Sequence, residues 1–148
     1  MFERGGVLAE QISVPASTGK MDETLSWIDA HLDSAGFGKK PRSNVMLAAE
    51  EIFVNIANYA YTGSGGEGLV TIHFSMTESG AQIVFTDDGA PYDPLSRDDP
   101  DVTLTAEERK IGGLGIYLVK KMMDSVEYRY DDGKNILTIK KNLEAVES

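Results

Sequence analysis

The sequence contains no cysteine, two histidines and one tryptophan among its 148 residues. Without cysteine, a disulfide framework and thiolate metal sites are excluded, which fits a reducing compartment. The histidines, His31 and His73, are too few to build a histidine metal centre, and we interpret them as a surface residue and a strand residue. We therefore expect a cytoplasmic protein whose fold does not depend on covalent cross-links.

Long apolar runs are also missing. Hydrophobic residues make up 41% of the chain, but they are dispersed and nowhere reach the roughly 18 to 20 consecutive positions of a membrane span. The first ten residues, "MFERGGVLAE", lack the basic segment and apolar run of a secretory signal. The sequence therefore predicts a soluble protein with no membrane partner.

Positive charge is scarce. There are 14 Lys and Arg residues against 24 Asp and Glu residues, which gives a formal net charge of −10. This charge repels a phosphate backbone, and the basic residues form no long stripe. Direct binding of nucleic acid is therefore not expected.

The length predicts a single domain over residues 1–148, and hydrophobic periodicity predicts the order of its elements. The predicted order begins with one strand, which is followed by two helices and a hairpin. A long acidic loop, a third helix and a second hairpin complete the chain. This order predicts an α+β fold: a two-layer sandwich with helices on one face of a mostly antiparallel sheet. The expected elements are a strand over 7–17, helices over 19–36, about 43–61 and 114–126, and hairpins over 69–87 and 126–141.

The second predicted helix carries an unusual polar stripe. In "EEIFVNIANYAY", residues 50–61, Glu51, Asn55 and Tyr59 recur every four positions and would share one helical face. The side-chain oxygen of asparagine is a suitable ligand for Mg²⁺, which takes few protein oxygens and keeps several waters. Alternatively, Asn55 is a core amide whose hydrogen bonds are satisfied within the protein.

Two further motifs stand at the ends of predicted elements. In "DDGAPYDP", residues 87–94, Asp87 leaves a strand and can accept a hydrogen bond from an exocyclic amine, while Gly89 allows a base to lie close to the backbone. "GGLG", residues 112–115, opens a helix, where free N–H groups and glycine suit a phosphate. Each motif alone is common in ordinary turns. Together they indicate an adenine pocket, a metal and a phosphate cradle.

These three segments resemble the N-box and the two glycine boxes of the GHKL ATPase superfamily, which includes gyrase and histidine kinases. Within it, the chain resembles the small bacterial anti-sigma-factor serine/threonine kinases, over roughly residues 8–141. The resemblance implies that Glu51 is the general base and that Asn55 coordinates Mg²⁺ bridging the ATP phosphates. It implies a lid over about 95–111, and further nucleotide contacts from Asp87, Gly89, Gly113, Leu114 and Gly115.

The implied function is phosphorylation of an anti-sigma-factor antagonist of the STAS type, alternating with sequestration of a sigma factor, by a homodimer. Two other functions stay open: an ATP- or ADP-responsive binding module without catalysis, and a structural domain without a nucleotide site. A histidine kinase is disfavoured because His31 is not directly followed by an acidic residue, as in the usual phosphoacceptor motif, and because the chain is too short for a second, dimerisation domain. Partner contacts are expected on the first helix, where Trp27 either marks a contact patch or is half-buried in the monomer.

Overall fold

A computed structural model describes residues 9–60, 68–96 and 113–143. The predicted order of elements is confirmed. The strands are β1 (Ala9–Pro15), β2 (Leu69–Met76), β3 (Gly80–Asp87), β4 (Ser125–Asp131) and β5 (Lys134–Asn142). The α-helices in these ranges are α1 (Met21–Ser34), α2 (Lys39–Asn55) and α3 (Gly113–Met122). No helix in the described ranges is long and apolar enough to cross a membrane.

The strands form one five-stranded sheet in the order β1-β2-β3-β5-β4, with every neighbouring pair antiparallel. Alternate side chains of β2 are buried, namely Val70, Ile72 and Phe74, because successive residues of a strand point to opposite faces. These residues belong to the same hydrophobic core as the buried residues of all three helices. The expected two-layer α+β sandwich is therefore confirmed.

The terminal hairpin turns through Asp132 and Gly133, whose φ angles are +54° and +75°. Positive φ at both central residues matches the right-handed twist of the flanking strands, which explains the Asp-Gly sequence. The second predicted hairpin, over 126–141, is confirmed, and it pairs Tyr130 of β4 with Asn135 of β5. On the other side of β5, Asn135 lies opposite Asp87 of β3.

The beginning of α2 differs from the prediction. The helix begins at Lys39 rather than near Ser43, with Gly38 in an extended conformation as its N-cap. Pro41 therefore lies within the first turn, where a helix needs no N–H donor and the fixed φ of proline is acceptable. By contrast, α1 ends as expected, because Gly36 has a φ of +99° that other residues rarely adopt.

The end of α2 also differs from the prediction. The last α-helical residue is Asn55, and Ile56–Ala60 continue as a π turn. A π turn pairs residues five apart rather than four apart, so the α-helical spacing does not extend to Tyr59. The expected stripe is therefore limited to Glu51 and Asn55.

The interpretation of His31 as a surface residue is wrong. Its ring centroid lies 4.3 Å from that of Trp27 and 5.3 Å from that of Phe74 on β2. Trp27 is partly buried against the core. Of the two alternatives for this residue, a contact patch or a half-buried side chain in the monomer, the structure therefore agrees with the half-buried one. His73 is a strand residue, as predicted.

Candidate functional site

A narrow pocket lies where the end of α2 meets α3, β3 and β5. Its walls are mostly apolar, and the polar groups in it come from residues far apart in sequence. The enclosed cavity is about 20 Å³, room for about one water molecule, so a nucleotide base can enter only if the walls separate. The pocket is lined by Ile52, Asn55, Ile56, Ala60, Phe85, Asp87, Tyr92, Pro94, Ile116, Tyr128, Asn135 and Leu137.

Asn55 is buried in this pocket at 6% exposure, and its Nδ2 atom has no hydrogen-bond partner. Buried amides nearly always have partners, since a buried group without one costs about 1 to 3 kcal/mol. Among the described residues, this is the only buried side-chain N or O atom without one. Asn55 is therefore not a satisfied core amide, and its side chain is available to a ligand.

Asp87 ends β3 and is buried at 5% exposure in the same pocket. Its Oδ1 accepts the Gly89 N–H and the Asn135 Nδ2–H, each at 2.9 Å. Burial raises the pKa of the Asp87 carboxyl and outweighs these two hydrogen bonds, which lower the pKa. Because both of these hydrogen bonds go to Oδ1, the second oxygen, Oδ2, is suited to accept a hydrogen bond from a ligand amine.

The raised pKa of Asp87 predicts a pH-dependent stability. The fold favours the protonated carboxyl, so this stabilisation is complete below the pKa in the unfolded chain and is lost as pH rises through the higher folded pKa. Asp87→Asn has no such loss. We therefore expect the variant to gain stability relative to the native chain as the pH rises above about 4. Urea unfolding across this range measures the difference, and a constant or falling difference would contradict the prediction.

Asn135 is a site residue that the sequence interpretation missed. Its Nδ2 donates to Asp87 Oδ1 and to the Ala90 carbonyl, both at 2.9 Å. Its Oδ1 accepts the Tyr92 N–H at 3.1 Å and the Tyr128 hydroxyl. All four hydrogen-bonding positions of the amide are thus used within the protein. A signal was present in the sequence, because strand alternation puts Asn135 on the apolar face with Leu137 and Ile139.

Gly89 lies against the π turn rather than beside open space. A Cβ atom added to Gly89 would lie 2.2 Å from the Ala60 carbonyl oxygen, and the neighbouring Ala90 N–H donates to that oxygen at 2.8 Å. We expected the missing side chain of Gly89 to leave room for a base. That explanation is wrong, because backbone atoms of Ala60 occupy the space where the side chain would lie. A contact between Gly89 and nucleotide stays a prediction.

Gly89→Ala is expected to destabilise the fold by about 1 to 3 kcal/mol, the usual cost of overpacking. The contact is with backbone, so the loop and the π turn must separate to admit the methyl group. Urea unfolding measures the loss. Gly19→Ala is the matched control, because a Cβ atom there meets nothing within 4 Å. Equal stability of the two variants would contradict the proposed packing.

"GGLG" opens a helix as predicted, since α3 begins at Gly113 and includes Leu114 and Gly115 in its first turn. The first N–H groups of a helix have no intrahelical partner and carry the positive end of the helix dipole. One turn later, Ile116 lines the pocket. Most of the predicted lid over 95–111 lies outside the described residues.

Glu51 lies one helical turn before Asn55 but does not line the same pocket. It lines a groove of about 170 Å³ between α2 and α3. Burial, and secondly the charge of Glu50, raises the pKa of the Glu51 carboxyl. The structure therefore brings Asn55 and Asp87 together and places Glu51 in an adjoining groove.

Any metal here would depend on few protein ligands. The described residues contain no group of three or more His, Cys, Asp or Glu side chains that could hold a metal ion. Mg²⁺ is commonly bound by one or two protein oxygens together with substrate phosphates and water. The unpartnered atom of Asn55 is Nδ2, a donor that does not bind a cation. Asn55 would therefore hold Mg²⁺ only with its amide flipped, so that Oδ1 takes the place of Nδ2.

The fold and site together define a class of protein: an α+β nucleotide-binding domain with an asparagine at the end of a helix, an aspartate at the end of a strand and a glycine-rich helix start. The chain belongs to the histidine kinase-like ATPase domain family, whose model matches residues 14–141. The resemblance found in the sequence is confirmed.

Relatives support this assignment over most of the chain. A serine-protein kinase RsbW from Listeria monocytogenes is 29% identical over 110 residues, covering 72% of this chain and 69% of the relative. A serine/threonine-protein kinase BtrW from Bordetella bronchiseptica is 26% identical over 129 residues, covering 87% of this chain and 89% of the relative.

Solved structures share the fold. The RsbU and RsbW domains of a Mycobacterium tuberculosis protein match with a TM-score of 0.65 at 11% identity, covering 91% of this chain and 32% of that one. A histidine kinase domain from Erythrobacter litoralis matches with a TM-score of 0.53 at 17% identity, covering 88% of this chain and 62% of the Erythrobacter chain. The chain thus spans about a third of the Mycobacterium structure.

Proposed function

We propose that this protein is an ATP-dependent serine/threonine-protein kinase that acts as an anti-sigma factor. The observation that carries the proposal is the unpartnered, buried amide of Asn55 in the same pocket as the carboxylate of Asp87. A buried amide without a partner is costly to keep unless a ligand uses it. The kinase names of the relatives support the same function.

The pocket residues would bind and orient ATP. The second oxygen of Asp87 accepts a hydrogen bond from the adenine amine, while apolar side chains such as Phe85 and Ile116 contact the ring. The N–H groups at the start of α3, over Gly113, Leu114 and Gly115, would bind the phosphates. Asn55 would hold Mg²⁺, which would neutralise phosphate charge.

Glu51 would act as the general base. The substrate hydroxyl oxygen forms a bond to the γ-phosphorus, the bond from that phosphorus to the leaving ADP oxygen breaks, and the hydroxyl proton passes to the Glu51 carboxylate. A base is more effective when its pKa is nearer the working pH. The raised pKa of Glu51 therefore suits this role.

The partners in this proposal follow the resemblance of the sequence motifs to anti-sigma-factor kinases. The substrate is a STAS-type anti-sigma-factor antagonist, and a sigma factor is bound in alternation with it. The protein works as a cytoplasmic homodimer of single 1–148 domains, and residues of about 95–111 close over ATP as a lid. The kinase names of the relatives agree with a serine or threonine as the phosphate acceptor.

Calorimetric titration of ATP with and without Mg²⁺ tests the site, followed by transfer of labelled γ-phosphate to the purified antagonist. Micromolar affinity, about −8 kcal/mol, that weakens without metal, together with transfer to serine or threonine, is the expected result. Absence of binding would reject the proposal.

One observation favours the alternative, a nucleotide-responsive binding module without catalysis: Glu51 lines a groove separate from the pocket of Asn55 and Asp87. ATP binding without phosphate transfer to the antagonist would select this alternative. The two functions share the nucleotide site and differ only in the role of Glu51.

A further inference from the structure

The groove that contains Glu51 has features that the nucleotide site does not explain. It runs between α2 and α3, and its apolar surface includes Leu47 and Leu118, which are 51% and 40% exposed. Met122 extends the apolar surface at the end of α3. Large apolar side chains of this exposure, gathered in one groove, are typical of a surface that a partner covers.

The two carboxylates of the groove restrict what can bind. Glu50 and Glu51 are adjacent on α2, and neither side chain makes a hydrogen bond or an ion pair with another described residue. Two neighbouring negative charges repel an acidic ligand and favour a neutral or basic one. The groove therefore selects a ligand that is apolar on one side and not acidic on the other.

The position of Glu51 connects the groove with the chemistry. A general base must lie within hydrogen-bond reach of the hydroxyl that it deprotonates. Because Glu51 lines this groove and not the pocket of Asn55, the hydroxyl reaches Glu51 through the groove. The residues next to that hydroxyl then contact the apolar walls.

We propose that the α2–α3 groove is the docking site for the substrate segment, in which an apolar side chain close to the acceptor serine or threonine packs between Leu47 and Leu118. Acidic residues are disfavoured beside the acceptor, and a basic residue is favoured near Glu50. This inference rests on the proposed kinase function and adds the chemistry of the segment that the kinase recognises.

The experiment measures phosphate transfer to the purified STAS-type antagonist from the same genome at several antagonist concentrations. The double variant Leu47→Ala and Leu118→Ala is expected to raise the KM for the antagonist about tenfold, since truncating well-packed contacts commonly costs this much. The value of kcat and the ATP affinity stay within about twofold, because neither residue lines the nucleotide pocket. Alanine retains helix propensity, so both helices are expected to remain intact.

Two leucine controls and one charge variant accompany the double variant. Leu69→Ala and Leu143→Ala truncate leucines that are as exposed but lie outside the groove, and they are expected to leave the KM unchanged. Glu50→Lys is expected to raise the KM for an antagonist with a basic residue beside the acceptor.

The outcomes separate the docking site from the kinase function. If the native chain transfers phosphate and the double variant has the native KM, the groove is not the docking site, although the kinase function stands. If the controls raise the KM as much as the double variant, the groove is likewise excluded. If the native chain binds ATP but transfers nothing, both the kinase function and this docking site are rejected.

Discussion

Replacing Glu51 with glutamine is expected to lower phosphate transfer to the antagonist by a factor on the order of 10² to 10⁴, the usual contribution of a general base. Glutamine keeps the size of the side chain and cannot accept a proton. ATP affinity is expected to change by less than a few-fold, because Glu51 does not line the pocket that contains Asp87. Single-turnover transfer and calorimetric titration measure the two quantities separately.

Glu50→Gln is the matched control for this variant. Glu50 is the preceding residue of α2, is exposed, and lies about 100° around the helix from Glu51. The control removes one negative charge from the same groove and leaves the base in place. If the two variants lose the same activity, charge rather than proton transfer accounts for the effect, and equal turnover of Glu51→Gln and the native chain would reject the base.

Asn55→Ala is expected to abolish the part of the ATP affinity that depends on Mg²⁺, so that titrations with and without metal give the same weak binding. The fold is expected to tolerate the change. The Nδ2 atom of Asn55 has no partner to lose, so the change removes a desolvation cost of about 1 to 3 kcal/mol, which offsets the packing lost with the shorter side chain. Titration and urea unfolding of the same preparation measure both effects.

Asn135→Ala provides the contrast for that experiment. Asn135 makes four hydrogen bonds within the protein, and its truncation leaves several buried groups without partners. We expect lower stability from this variant, unlike Asn55→Ala. Unchanged MgATP affinity in Asn55→Ala would show that Asn55 does not bind the metal.

Local sequence patterns predicted the elements well, because each has its own periodicity and its own turn residues. The terminal hairpin is specified by Asp132 and Gly133, and the end of α1 is specified by Gly36, since these residues adopt positive φ. The start of α2 was placed about four residues too late, because its N-cap, Gly38, has no capping side chain to mark it in the sequence.

Contacts between distant segments could not be predicted from such patterns. The packing of His31 on Phe74 depends on the position of α1 over β2, which no local signal contains. The network of Asn135 depends on the register that places it opposite Asp87. The site motifs themselves were found because Asn55 and Asp87 are unusual in their local surroundings, whereas the separate groove of Glu51 appears only after α3 is packed on α2.

The π turn at Ile56–Ala60 also determines how this chain can change in length. Its last carbonyl, that of Ala60, accepts the Ala90 N–H and lies against Gly89. A π turn contains about one residue more than a turn of α-helix, so conversion to α-helix at the present length would rotate Ala60 by roughly 90° away from that loop. Deletion of one residue would instead restore the α-helix and leave Ala60 facing nearly the same way. Homologous chains are therefore expected to tolerate a gap of one residue here, within a helix where gaps are otherwise disruptive.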